Sequence, residues 1–378
     1  MIMAMYKPFK DAGKKLIIRD FIYTKAEQER FQKAFIDMPE EIILSLKNTP
    51  HDFYPTFPDN PLMGHVGSHP QITEYDVNGQ FFGWGVQPSA MLSDIKRRLR
   101  YGKEHQVTGF LARTDWEGVQ DWTCFDNLNM VNLYAIAAYA ENENTSEEEI
   151  YLRWLQGEHM LDERLSPGQL KTCVQTVKEI MDETWPIVEK TNFVNGCLFS
   201  NDSCMHLTPE QFTFIGGTHH SLSEWDPEKK DALEMSVENI ARIIEDKEEA
   251  HVKCEKLVDR VVAGNMGLTE DAYEKMKEHF EFMRWYVRGF RLTARGYCFG
   301  RYVTEKNAAD MLVEGKTANV LLEETIHEME KYREGLLQTT FIKKYPFDAQ
   351  LNPERVAFYT NSLKRMLAQG KKVEIVED

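Results

Sequence analysis

The stretch from Ile43 to Phe53 reads ILSLKNTPHDF and combines two features that decide the fold. It begins with mainly aliphatic residues, which is typical of a β-strand buried within a parallel sheet. The aliphatic run is followed by Lys47 and Asp52, and then by a loop rich in proline and aromatic residues. In barrels of alternating strands and helices, the chemistry collects at the carboxyl ends of the strands. The stretch therefore predicts a buried parallel strand with functional side chains at its end.

The flanking sequence alternates between strand-like and helix-like patterns. Apolar runs typical of strands occupy residues 16–22, 42–46, 71–75 and 107–112, and helical spacing of apolar residues marks 25–35 and 91–105. Four strands separated by crossover segments predict a parallel sheet. From about residue 127 the helical period persists nearly to the end of the chain. We therefore predict two domains, an α/β domain over residues 1–126 and an all-α domain over 127–378.

The composition argues against several classes of function. The 378 residues carry a formal net charge of −16, which disfavours nucleic acid and anionic membranes as partners, because clustered Lys and Arg drive such binding. Neither a membrane-spanning apolar run nor a signal peptide is recognisable, so we predict a cytoplasmic protein. Cys204 and His206, with His219 and His220 nearby, match no zinc-binding spacing, and neither a metal nor another cofactor is expected.

Charged residues follow each predicted strand. Arg19 ends the first strand, Lys47 and Asp52 follow the second, and Glu74 lies at the end of the third. Any one of them alone is most simply a solvated residue or part of a structural ion pair. Parallel strands lie about 4.8 Å apart, however, which brings Asp52 and Glu74 within reach of a shared water molecule. Two carboxylates around one water can act as a general base.

Aromatic residues are concentrated around these strand ends. Residues 51–125 contain twelve aromatic residues, among them Trp84, Trp116 and Trp122 in predicted loops. Such rings can stack on the apolar faces of sugars while carboxylates act on the glycosidic bond. The same rings can equally fill the joint between the sheet and the helical region. The residues leave both interpretations open.

Four motifs resemble those of a known family. Arg19–Tyr23, RDFIY, resembles the strand Arg-Ala-Phe-Val-Tyr, and Lys47–Phe53, KNTPHDF, resembles the strand-end motif Lys-Asn-Gly-Pro-x-Asp-Phe. Gln71–Tyr75, QITEY, is one residue shorter than Gln-Ile-Thr-Gln-Glu-Tyr, and Asn132–Ala135 is similar to Asn-Leu-Tyr-Ala. In this order, over roughly residues 14–156, they resemble the α-glucuronidases of glycoside hydrolase family 67.

This resemblance implies a fold and a reaction. The fold would be the carboxy-terminal half of a TIM (β/α)8 barrel, with four parallel strands, followed by a large all-α domain. Asp52 and Glu74 would activate water in an inverting hydrolysis of glucuronic-acid side groups on xylan-derived oligosaccharides. Arg19 and Lys47 would contact the carboxylate of the acidic sugar. The set of candidate substrate-binding residues is then Arg19, Lys47, Tyr75, Trp84 and Trp116.

The general acid of the family is a glutamate on an earlier strand, which has no counterpart between residue 1 and Arg19. The resemblance therefore implies that the rest of the barrel comes from elsewhere. Open strand edges at 16–22 and 107–112 invite pairing. We expect either a partner chain that supplies the missing half barrel or a homodimer.

Two alternatives remain open from the residues. Asp52 and Glu74 could serve as the acid and the nucleophile of a retaining glycosidase, which needs no further carboxylate. The chain could also be a carbohydrate-binding or scaffold protein without turnover.

Overall fold

The computed structural model of the protein describes residues 2–22, 24–80, 83, 85–115, 123–200, 204–214, 222–306, 313, 315–339 and 351–377. Its amino-terminal part contains a four-stranded parallel sheet in which neighbouring strands are consecutive in the sequence. The strands are β1 (Ile17–Arg19), β2 (Ile43–Lys47), β3 (Gln71–Asp76) and β4 (Val107–Arg113). The prediction of four parallel strands is confirmed.

Helices accompany this sheet at α1 (Ile2–Asp11), α2 (Lys25–Ile36) and α3 (Leu92–Glu104). Helix α2 begins at a capping box, in which Thr24 and Glu27 satisfy each other's backbone N–H groups. Both α2 and α3 were predicted within two residues of their bounds, whereas α1 was not predicted. The connection from β2 to β3 contains only turns and bends, so residues 48–70 cross from strand to strand without a helix.

The register of the strands sorts their side chains onto two faces. Arg19 pairs with Ser45, and Lys47 pairs with Glu74, so these side chains share one face. Leu44 and Leu46 point to the other face and are completely buried in a core that includes Phe35 of α2. The first set lies on the inner face and the second on the outer face.

Part of the inner face of the sheet is open to solvent, at the two outer strands. Ile17 and Leu111 lie on this face by register, and they are 52% and 50% exposed. No described element covers them. Four parallel strands with helices on the outer face and a partly uncovered inner face form a partial barrel, as predicted.

The remainder of the described chain is almost entirely helical. Its elements are α4 (Met130–Glu141), α5 (Glu147–Gly157), α6 (Pro167–Asp182), α7 (Thr184–Asn192), α8 (Pro209–Phe214), α9 (Val237–Val262), α10 (Glu270–Glu305), α11 (Ala318–Gln338) and α12 (Pro353–Glu377). A short antiparallel hairpin, β5 (Phe193–Val194) and β6 (Cys197–Leu198), follows α7. Helix α10, with 36 residues, packs against α9, α11 and α12. The predicted helical region is therefore present.

The sheet and the first helices of this region share one hydrophobic core. Tyr75 of β3 belongs to the same buried cluster as Val131 of α4 and Trp154 of α5. A second cluster surrounds the carboxy-terminal half of α10 and includes Tyr359 of α12. The proposed boundary at residues 126 and 127 falls between β4 and α4, and the division into two domains stays a prediction.

None of the described helices combines the length and the apolar character that crossing a bilayer requires.

Candidate catalytic site

The ends of β1, β2 and β3 bring three predicted side chains together. Arg19 Nε lies 2.6 Å from Glu74 Oε2, although β2 separates their strands. Ser45 on the intervening strand donates its hydroxyl to Glu74 Oε1 at 2.6 Å. Both oxygens of the Glu74 carboxylate are thus held by hydrogen bonds, and its orientation is set by two strands.

The fourth predicted residue, Asp52, joins them through Lys47. Lys47 Nζ lies 2.5 Å from Asp52 Oδ1, and the lysine side chain is only 3% exposed. Its ammonium group lies 4.1 Å from the centre of the Phe21 ring and 5.1 Å from that of Phe53, which adds cation–π attraction. The site therefore contains two adjacent ion pairs, Arg19–Glu74 and Lys47–Asp52.

Asp52 occupies an unusual backbone conformation. Its φ is 34°, and that of Phe53 is 67°, so two consecutive residues other than glycine lie in the left-handed region. Such conformations cost about 1–3 kcal/mol each and persist where the surrounding structure holds them. They cluster at functional sites, and here the turn brings the Asp52 carboxylate back to the end of β2.

A buried network fixes the end of β2 beneath these pairs. Asp20 Oδ1 accepts a hydrogen bond from Lys47 N at 2.8 Å, and Asp20 Oδ2 accepts one from Asn60 Nδ2 at 2.9 Å. Asn60 Nδ2 also donates to Lys47 O at 2.9 Å. Burial raises the pKa of Asp20 to about 7, against the opposing effect of these N–H donors and of Lys47. Asp20 and Asn60 position the backbone that carries Lys47.

Of the other predicted site residues, Tyr75 does not join this cluster. Tyr75 follows Glu74 in the strand and therefore points to the outer face, where it is 2% exposed and meets Phe110 edge to face. Burial raises its pKa above the ordinary value, because the phenolate has no water around it. The structure thus separates Tyr75 from the predicted substrate contacts. Trp84 and Trp116 lie outside the described residues.

The suggested metal ligands show no metal-binding geometry among the described residues. His206 is buried and its Nε2 donates to Phe199 O, while burial lowers its pKa to about 4. No cluster of His, Cys, Asp and Glu in the described ranges is arranged to hold a metal ion. His219 and His220 lie outside these ranges.

The sequence reasoning missed several residues that shape the site. Phe21 was not singled out, although it stands two positions after Arg19, and its ring is 56% exposed beside Lys47. Asn60 gave no signal, because an asparagine in a loop is ordinary. Arg98 was not singled out, yet it occupies the buried face of α3 with Ile95. Its helical spacing from Ile95 was the available signal.

The two ion pairs differ in their access to solvent. The Arg19 side chain is 44% exposed, and its two terminal nitrogens have no hydrogen-bond partner among the described residues. The Asp52 side chain is 20% exposed, and Oδ2 likewise has no hydrogen-bond partner in the described part of the chain. An accessible guanidinium near an accessible carboxylate oxygen can bind an anionic group and activate a water molecule.

Comparison with known proteins is informative at the level of structure. The chain is similar to a GH138 enzyme targeting pectin rhamnogalacturonan II, with a TM-score of 0.56 and 12% identity, over 98% of this chain and 58% of the other. At this identity the likeness concerns the fold alone, which this chain shares with part of that enzyme. A GH115 4-O-methyl-α-glucuronidase with specificity for decorated arabinogalactans gives a TM-score of 0.39 and 12% identity, over 93% of this chain and 38% of the other. No family model and no curated protein matches the chain.

This chain spans less than two thirds of the GH138 enzyme, at 58%. The GH138 enzyme belongs to a family other than 67 and no family model matches the chain, so the resemblance to family 67 stays a prediction.

Proposed function

We propose that this chain forms part of an inverting glycoside hydrolase that removes a glucuronic-acid side group from xylan-derived oligosaccharides. The observation that carries the proposal is the pairing of two carboxylates with two cations at the ends of adjacent parallel strands. The glycoside hydrolase fold supports the reaction class. The choice of sugar rests on the family-67-like motifs.

Asp52 is the better candidate for the group that takes a proton from water. Its Oδ2 atom has no hydrogen-bond partner among the described residues, whereas both oxygens of Glu74 accept hydrogen bonds from protein side chains. The side chain of Asp52 is also more exposed, at 20% against 11%. In this proposal Asp52 is the general base, and Glu74 orients the water.

Arg19 is the better candidate for recognising the acidic sugar. Lys47 is 3% exposed, and its ammonium group is already engaged by Asp52 and covered by Phe21 and Phe53. Arg19 keeps two accessible terminal nitrogens, which suit bidentate binding of a carboxylate. Lys47 then serves to hold Asp52, while Arg19 contacts the substrate.

The proton donor to the leaving group must come from a further residue. Asp20 is close to the site, but it is 1% exposed and both of its oxygens accept N–H hydrogen bonds. We propose that the acid is carried by a further barrel segment, from the same or a second polypeptide, that covers the inner face around Ile17 and Leu111. The half-exposed apolar side chains there support this view.

The test is hydrolysis of a 4-O-methylglucuronosyl xylo-oligosaccharide by this chain, and by the product of the longest open reading frame that contains it. Asp52→Asn is made in each, with Asp37→Asn as the control, because Asp37 is an exposed carboxylate at the end of α2. We expect Asp52→Asn to lower kcat by about 10²–10⁴-fold, as loss of a general base does, and Asp37→Asn to leave it unchanged.

The anomeric form of the first product, followed by NMR, separates the mechanisms. Inversion supports water activation by Asp52, whereas retention favours Asp52 and Glu74 as acid and nucleophile. Calorimetric binding of the oligosaccharide without any hydrolysis would favour a carbohydrate-binding protein. Absence of both binding and hydrolysis would reject the assignment to carbohydrate.

A further inference from the structure

Arg98 of helix α3 is a charged residue completely enclosed by protein. Its side chain is 1% exposed, and its guanidinium group meets six acceptors. Nε donates to Asp94 Oδ2 at 2.9 Å, and Nη1 donates to Asp59 Oδ1 at 3.1 Å. The two carboxylates balance the buried positive charge, which explains why the interior tolerates it.

The remaining acceptors of Arg98 are backbone carbonyl oxygens of a single loop, residues 48–60. Nη2 donates to Pro55 O and Phe57 O, both at 2.9 Å, and Nη1 donates to Asn48 O at 3.3 Å and Pro58 O at 3.4 Å. We call this segment the Asp52 loop, because Asp52 lies near its middle. Asn60 N donates to Asn48 O at 3.2 Å and closes its base.

The Asp52 loop needs donors from outside itself. Phe53, Tyr54 and Phe57 are at most 3% exposed, so part of this irregular segment lies in the interior. Buried carbonyl oxygens require hydrogen-bond partners, and no helix or strand within the loop provides them. Arginine carries five N–H donors in a rigid planar fork, so one side chain can satisfy several carbonyls at fixed angles.

Arg98 contacts the backbone on both sides of the residues that carry the proposed base. Asp52 and Phe53 are held in the left-handed region, and such residues relax unless the flanking backbone is fixed. Arg98 binds the loop on both sides of them, at Asn48 and at Pro55 to Pro58. It touches the loop from helix α3, which packs on the outer side of the sheet, and makes no contact with Asp52 itself.

We propose that Arg98 is a positioning residue, which holds the Asp52 carboxylate against Lys47 and in place for water activation. The catalytic part of this role rests on the proposed function. The structural part, that Arg98 fixes the conformation of the Asp52 loop, does not depend on any reaction. A displacement of about 1 Å in a reacting group can cost about 10²-fold in rate, so a loosened loop should slow turnover.

The test compares Arg98→Lys with Arg97→Lys. Arg97 is the matched control, because it neighbours Arg98 on α3 and pairs with the same carboxylates, Asp59 and Asp94, but is 51% exposed and donates to no loop carbonyl. Lysine keeps the charge in both variants. Hydrogen exchange of this chain is followed by mass spectrometry over residues 48–60 and, as an internal reference, over β2.

We expect Arg98→Lys to accelerate amide exchange in residues 48–60 at least about tenfold, with β2 unchanged, and Arg97→Lys to have no such effect. Equal exchange in the two variants would overturn the inference. If Arg98→Lys does not fold, Asp59→Asn replaces it. This variant removes one charged acceptor of Nη1. We expect a smaller increase in the rate of amide exchange, confined to residues 48–60. An increase that also extends to β2 would overturn the inference.

Kinetics of the active form then test the catalytic part. Arg98→Lys should lower kcat about 30–100-fold and change KM less than threefold, because Arg19 binding is untouched. In an Asp52→Asn background the same substitution should have no further effect. An equal loss in both backgrounds would mean general damage and would refute positioning. Failure of the proposed function is recognised separately, as absence of activity in the unsubstituted protein.

Discussion

The buried carboxyl group of Asp20 should make the stability of the protein depend on pH between about 4 and 7. Asp20 is 1% exposed, and burial raises its pKa from the ordinary value of 3.8 to about 7. In the unfolded chain the group ionises near 3.8, whereas in the folded protein it stays protonated to about 7. The folded state therefore binds more protons in this range, and its stability is lost as the pH rises.

The size of the effect follows from the two pKa values. A difference of about 3 between them corresponds to about 4 kcal/mol in the free energy of unfolding. This contribution is fully present below pH 3.8 and absent above about pH 7. It is large beside the 5–15 kcal/mol by which domains are usually stable.

The measurement is chemical unfolding of the chain, followed by tryptophan fluorescence, at intervals from pH 4 to pH 8, for the unsubstituted protein and for Asp20→Asn. Asparagine cannot ionise, so the difference in unfolding free energy between the two should grow by about 4 kcal/mol across this range in favour of the variant. Loss of the hydrogen bond from Asn60 lowers the free energy of unfolding of the variant by the same amount at every pH, so it does not change the slope of the difference with pH.

Other groups contribute to the absolute profile but cancel in the difference. Burial lowers the pKa of His206 from 6.5 to about 4, so its contribution is lost as the pH falls and has the opposite sign. Asp11→Asn serves as the control at an exposed carboxylate and should give a flat difference. A flat difference for Asp20→Asn as well would refute the reasoning, because it would mean that Asp20 ionises alike in both states.

Two further substitutions test the packing around the site and the helices. Gly85→Ala should lower the free energy of unfolding by more than about 3 kcal/mol, because the new Cβ would lie 2.3 Å from Asn78 O. Gly67 has nearly the same positive φ but open space around it, so Gly67→Ala should lower the free energy of unfolding by only about 1 kcal/mol in the same denaturation assay. Lys247→Met should cost about 2–4 kcal/mol in thermal or chemical unfolding, since Nζ of this buried lysine donates to the carbonyls of residues 190, 191 and 193. Lys253 is exposed on the same helix, so Lys253→Met should lower the free energy of unfolding by less than about 1 kcal/mol. Equal decreases in the two variants would argue against stabilisation by the hydrogen bonds of Lys247.

Much of the sheet could be predicted from local patterns. Runs of aliphatic residues located β2 and its neighbours, and parallel register then required Lys47 and Glu74 to meet at one edge. The side-chain period of a strand also determines that Tyr75 and Glu74 face opposite ways, so the separation of Tyr75 was available from the sequence. The strand ends also pointed to Arg19 and Asp52, which the structure brings into ion pairs, and the family-67-like motifs suggested a role for each.

The support around the site could not be predicted in the same way. Helical spacing from Ile95 indicated the buried face of Arg98, but its acceptors are carbonyl groups about 40–50 positions earlier in the chain, which no local periodicity identifies. The left-handed conformation of two consecutive residues, Asp52 and Phe53, likewise was not evident from the sequence, since phenylalanine rarely adopts it. Helix α1 was not predicted, and it has Pro8 within its span, where proline disfavours a helix.

Because the two ion pairs differ in exposure, salt should affect the charge of Arg19 more strongly than that of Lys47. Dissolved ions screen charges at the surface over a Debye length of about 8 Å at physiological salt, but act weakly on enclosed ones. Arg19, at 44% exposure, lies within reach of this screening, whereas Lys47, at 3%, does not. Under the proposed function, binding of an anionic sugar by Arg19 would therefore weaken as salt is added, while the Lys47–Asp52 pair would keep its geometry.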